Sequence, residues 1–177
     1  MNYLYHRVPN NFSSSILSPL NELKSSNPDI YAKEIKKYEG REFVMEQKVP
    51  TLNCLWNDVI HLSAVHPQKI ANELKKYEKS GLQSSKFFQI DPNVLEIKNT
   101  VVFLNTQKLR EDKFNSEYWV KYDPDDIDKY GEFTTRNAEY YKDSYELGRR
   151  PLLWAFLTHI MYKGTINTDG VKIIGIE

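Results

Sequence analysis

Apolar and polar residues alternate at the start of the chain. Tyr3-Leu4-Tyr5-His6-Arg7-Val8 has the period of two that sends successive side chains to opposite faces of a strand, so His6 is assigned to one defined face. Pro9-Asn10-Asn11 ends that strand. Ser18-Pro19 reads as an N-cap followed by proline at the first helical position, which predicts a short helix over Leu20 to Lys24. Asn27-Pro28-Asp29 repeats the signal. Ile30, Tyr31, Ile35 and Tyr38, with Lys and Glu between them, then give the spacing of an amphipathic helix that breaks near Gly40.

The central stretch is Trp56-Asn57-Asp58-Val59-Ile60-His61-Leu62-Ser63-Ala64-Val65-His66-Pro67. It predicts a strand over Val59 to Val65, followed by a helix that Pro67 opens and that stops near Gly81. Lys86 to Ile90 and Thr100 to Leu104 are short apolar runs between turn residues and read as strands, with Glu117 to Lys121 as a weaker one. Asp123-Pro124-Asp125-Asp126-Ile127-Asp128 is acidic, but it lacks the glycine and distal glutamate of an EF-hand loop and reads as a helix cap. Thr135 to Leu147 predicts a helix capped by Thr134 or Thr135 and closed by Gly148. Leu152 to Ile166 is the longest apolar run, and Val171 to Ile176 is a β-branched closing strand. Helices gather in the first half and strands in the second. The pattern predicts an α+β fold in one domain, with helices against a twisted, mainly antiparallel sheet.

Composition narrows the function classes. The chain has 177 residues and balances 24 basic against 24 acidic side chains, which argues against a general polyanion-coating role. A single cysteine, Cys54, rules out an internal disulfide and fits a reducing, cytoplasmic setting. The start of the chain lacks the charged and apolar blocks of a signal peptide, and no apolar run reaches the length of a membrane span, so no membrane partner is expected. Neither G-x-G-x-x-G nor the P-loop pattern occurs. The four histidines do not make a zinc spacing: His61 and His66 straddle a strand end and a proline, and one cysteine is too few, so no metal site is expected. What remains is His6, an arginine after a glycine (Arg41), and the stretch bearing Trp56, Asp58 and Ser63. Arginine pairs with phosphate, histidine bonds a ribose hydroxyl and aromatic rings stack, so the set suits a polyanionic, ring-bearing ligand. The same residues also have plain structural uses: a half-buried strand histidine, a core Trp and a charge at a helix C-terminus.

Three motifs carry a family resemblance. Tyr5-His6-Arg7-Val8-Pro9 with Ser15-Ile16-Leu17 is similar to the N-terminal tyrosine-histidine strand and following Ser-Ile-Leu of the DarT-type ADP-ribosyltransferase toxins, which modify nucleic-acid bases using NAD. Arg41 ahead of Val59 to Pro67 resembles that family's arginine and the strand after it, and Arg149-Arg150-Pro151-Leu152-Leu153-Trp154-Ala155-Phe156-Leu157 resembles its basic residues and following apolar stretch. The resemblance implies an ADP-ribosyltransferase-like fold and NAD as substrate. It implies His6 on the nicotinamide ribose, Arg41 at the reaction centre, and Asn11, Trp56, Asp58, His61 and Ser63 lining the pocket. The acceptor would be a nucleic-acid base or a protein side chain, and an antitoxin a protein partner. The chain departs from the family at three points. The family's glutamate should fall near Trp154, where no acidic residue occurs from Pro151 to Asn167; Glu139 and Glu146 are the nearest. Phe12 stands where an asparagine is usual, with Asn11 beside it, and His66 replaces an arginine. Two other classes fit the residues: a non-catalytic nucleotide- or protein-binding module of a toxin-antitoxin or defence system, and a metal-independent nuclease using His6, His61 and Arg41.

Overall fold

The computed structural model describes residues 2–10, 12–77, 85–105, 116–149 and 151–176. In chain order the strands are β1 (Leu4–Arg7), β2 (Ile16–Leu17), β3 (Lys48–Val49), β4 (Cys54–Leu55), β5 (Ile60–Leu62), β6 (Lys86–Ile90), β7 (Thr100–Phe103), β8 (Trp119–Lys121), β9 (His159–Tyr162), β10 (Ile166–Asn167) and β11 (Lys172–Gly175). The α-helices are α1 (Leu20–Ser26), α2 (Pro28–Glu34), α3 (Pro67–Leu74) and α4 (Thr135–Glu146). The described residues form an α+β domain whose strand pairs are antiparallel.

Two sheets organise it. One runs β1-β6-β11 and the other β5-β9-β7-β8, with β2-β10 and β3-β4 as small two-stranded additions. Among the described residues the two larger sheets are joined by one backbone bridge: the Tyr5 amide donates to the Ser63 carbonyl (2.8 Å) and the Ser63 amide to the Tyr5 carbonyl (3.1 Å). Strand alternation sends Leu62, Val102 and Ile160 into one core with Leu4 and Phe88, and sends Val101, Phe103 and Met161 into a second core with Trp56, Val59 and Tyr38. Both faces of β7 and β9 are therefore buried, which is why these segments read as continuous apolar runs rather than as alternation. A third cluster seats α3 and α4 through Ile70, Leu74, Tyr141 and Leu157.

Several elements differ from the pattern-based expectations. α1 extends to Ser26 and starts one residue later than its signal: Pro19 is the N-cap, with no side-chain cap, and Ser18 lies outside. The helix after Asn27 tightens to 3-10 geometry over Ile35–Tyr38 and ends before Gly40, whose φ of +76° is left-handed. The strand expected over Val59 to Val65 is only Ile60–Leu62, because the Ser63 hydroxyl accepts the Val65 amide (3.1 Å) and turns the chain toward α3. Trp56–Asp58, just before that strand, is a 3-10 turn, since the Asp58 carboxylate folds back onto the Leu55 amide (2.7 Å). α3 ends at Leu74, and Gly81 lies outside the described residues. The apolar run from Leu152 divides into turns up to Thr158, then β9 and β10. Among the described residues no helix is long and apolar enough to cross a membrane.

Candidate functional site

Three histidines from three strands converge beside the junction of the two sheets. His6 sits on β1 and its Nδ1–H donates to the His61 carbonyl oxygen at 2.9 Å. A carbonyl can only accept, so the neutral His6 ring keeps Nε2 as a bare acceptor. His61 sits on β5 opposite Met161 of β9. Two residues back along β9 lies His159, on the same face by the strand period and within diagonal reach. The Nδ1 atoms of His61 and His159 stand 3.3 Å apart.

Each of these two rings is held from behind in the same way. His61 Nε2–H donates to the Trp56 carbonyl at 2.9 Å, and His159 Nε2–H donates to the Trp154 carbonyl at 3.0 Å. Both carbonyls come from a tryptophan five residues earlier in the chain. The Trp56 ring then packs on His61 (4.8 Å between centres) and also meets His159 and Phe103, while Trp154 meets the edges of His6 (5.9 Å) and His159 (6.5 Å). The histidines are thus enclosed by aromatic rings on two sides.

Burial sets their protonation. Loss of water around the rings is the largest influence on all three and lowers His6 to about 4, His61 to about 3 and His159 to about 4. The backbone hydrogen bonds oppose the shift, the neighbouring His159 deepens it for His61, and Lys37 adds a smaller push in the same direction on His6 and His61. At neutral pH the three rings are predominantly uncharged acceptors.

The other sequence candidates are placed differently. Asp58 is committed to structure: one carboxylate oxygen accepts from Asn21 Nδ2 (2.6 Å) and the other from the Leu55 amide. Ser63 is 1% exposed and spends its hydroxyl on the turn to Val65. Arg41 donates to the Lys37 carbonyl (Nε at 3.0 Å) and lies over the Tyr38 ring (5.4 Å), with no hydrogen bond to the histidines. Asn11 lies outside the described residues, as does Arg150. His66 faces away from the cluster: its Nδ1 caps α3 through the Gln68 amide (3.1 Å), and it lines a separate cavity of about 340 Å³ with Tyr5 and Lys69. Of the central stretch, Trp56 and His61 therefore join His6, while Asp58, Ser63 and His66 serve the backbone.

His159, Trp154 and Lys37 were not among the candidate pocket residues. A sequence signal for the first two exists: Trp56 to His61 and Trp154 to His159 repeat one Trp-to-His spacing, and the ring-to-carbonyl bond is the same in both. The His159 imidazole lies beside Trp154, with 6.5 Å between the ring centres. Among the described residues no group of three or more His, Cys, Asp or Glu side chains is arranged to hold a metal. Compared with protein families, curated proteins and solved structures, the chain matches none.

Proposed function

We propose that the protein binds NAD or a related nucleotide against the His6 strand and the Trp56–His61 wall, as an ADP-ribosyltransferase-like domain. The observation that carries this reading is the convergence of His6, His61, Trp56, Trp154 and His159 beside the bridge between the two sheets. The bare Nε2 of His6 can accept a ribose hydroxyl, and the tryptophan rings offer faces and edges for a nicotinamide or purine. In transfer, the bond from the ribose C1′ to the nicotinamide nitrogen breaks and a bond from C1′ to the acceptor forms. The acceptor's proton passes to a neutral imidazole, which suits rings held uncharged at neutral pH.

The alternative of a non-catalytic nucleotide-binding module is favoured by one observation: among the described residues no carboxylate bonds to the histidine cluster to steady an oxocarbenium-like transition state. The nuclease reading loses ground, because Arg41 spends its guanidinium on the Lys37 carbonyl and Tyr38.

A thermal-shift titration with NAD, ADP-ribose and oligonucleotides tests binding, with His6→Ala as the site control. NAD should raise the melting temperature of the natural protein and leave His6→Ala unmoved; no shift with NAD or ADP-ribose overturns the nucleotide reading. Mass spectrometry of nucleic acid and lysate protein after incubation with NAD then separates enzyme from binder, since only transfer adds ADP-ribose covalently.

A further inference from the structure

The row of contacts through His61 and His159 has one hydrogen bond more than two neutral imidazoles have protons. Three contacts lie in a row: Trp56 carbonyl to His61 Nε2, His61 Nδ1 to His159 Nδ1, and His159 Nε2 to the Trp154 carbonyl. Each needs one proton, and two neutral imidazoles carry only two between them. With both Nε2 protons turned to carbonyls, two bare Nδ1 lone pairs would face each other at 3.3 Å. The rings are also aligned for a shared proton. Their centres are 5.5 Å apart, and the difference from the nitrogen separation is close to two imidazole radii, so the lone-pair directions run nearly along one line. A hydrogen bond wants that line straight, whereas a tetrahedral metal ion between the two nitrogens would need it bent.

We propose that His61 and His159 act as one acid–base unit that holds a single extra proton between their Nδ1 atoms, and that a phosphate-bearing ligand entering beside His6 drives its uptake. The protonated pair is a cation. From the elements packed against it, the titratable and charged groups are His6 on β1 and Lys37 in the turn after α2, neither of them negative; Trp56, Phe103 and Trp154 contribute neutral rings. Among the described residues no carboxylate bonds to either ring, and a bound anion supplies the balancing charge in this proposal. Burial of the rings against that cation keeps the proton off until the anion arrives. Anion binding and proton uptake then favour each other reciprocally. His159 thereby gains the role of a positioning residue that stores the proton for its partner. The choice of anion rests on the nucleotide reading, while the proton count does not.

Two measurements test it on the full chain. Nitrogen NMR of histidine-labelled protein, titrated from neutral to acid pH, should show the two rings taking up one proton in a single joint step. Inorganic pyrophosphate should move that midpoint upward by at least about one pH unit, a tenfold linkage. Calorimetry of pyrophosphate binding in buffers of different ionisation enthalpy, at a pH between the free and bound midpoints, should give uptake of about half a proton per site or more for that tenfold linkage, lost in His159→Gln, whose amide retains a donor for the Trp154 carbonyl. Independent titration of the two rings, or a neutral ring with its proton on Nδ1 and a bare Nε2, overturns the shared proton, and the natural protein alone decides this should His159→Gln fail to fold. A joint step that pyrophosphate does not move overturns the anion linkage. NAD binding without proton uptake leaves the nucleotide reading standing and sinks this one; a pyrophosphate-linked joint step without NAD binding does the reverse.

Discussion

At the scale of single residues, polar side chains near the site divide into those with spare hydrogen-bonding capacity and those already committed. His6 keeps a bare Nε2, whereas Asp58 has an acceptor bond on each oxygen, one holding Asn21 and one the Leu55 amide. Asp58 therefore shapes the Trp56–Asp58 turn that aims the Trp56 carbonyl at His61, without itself being a ligand contact. Asp58→Ala should cost about 1–2 kcal/mol, the range for a lost cap with a second hydrogen bond, read as a lower urea midpoint. An unchanged midpoint would show that the turn holds without it. Trp56 is a hydrophobic anchor and a wall of the site at once, because its ring reaches His61, Phe103 and His159 together.

At the scale of elements, the segment before β9 depends on α4. Thr134 caps that helix by accepting the Asn137 amide (3.0 Å), and its hydroxyl also donates to the Phe156 carbonyl (2.9 Å). Asn137 adds a bond from Nδ2 to the Ala155 carbonyl (2.7 Å), and Tyr141 donates to the Leu153 carbonyl. Helix and loop are thus tied at three successive points, which holds the Trp154 carbonyl in place for His159. Phe156 takes a left-handed φ of +60°, unusual for a bulky residue, and the Arg136 guanidinium lies 4.4 Å from its ring centre. Thr134→Ala should lower stability by about 1 kcal/mol and loosen the loop more than the sheet. Faster amide exchange at Ala155 and Leu157, with β7 and β9 unaffected, is the expected result; uniform protection across the loop would refute the coupling.

For the whole molecule, the half-buried His6 and His61 and the buried His159 make stability depend on pH. Their folded pKa values, about 4, 3 and 4, lie below that of an exposed histidine, so the unfolded chain binds protons that the folded chain does not. The stabilisation is complete above pH about 6.5 and is lost as pH falls toward the folded values. The melting temperature should therefore drop between pH 7 and pH 4, and His6→Gln, with one titrating ring fewer, should show a shallower drop. A melting temperature flat over that range would mean the rings are not held neutral by the fold. The drop arises where the two sheets join, since the histidines lie beside the Tyr5–Ser63 bridge and His6 itself ties β1 to the His61 carbonyl of β5.

The sequence by itself determined the antiparallel α+β character, the strand carrying His6, the run from Lys86 to Ile90, and the capped helix after Thr134, because each rests on a local period or a turn signal within a few residues. It also contained the repeated Trp-to-His spacing, although no local rule links that spacing to a carbonyl contact. Only the tertiary structure decided which polar residues share a site. Strand order brings His159 diagonally to His61 across more than ninety positions of chain, and hydrogen bonding to nearby backbone withdraws Asp58, Ser63 and His66 from it. A periodic pattern tells which face a side chain takes, but not which strand lies next to it. The paired histidines that Trp56 and Trp154 hold follow from that pairing alone.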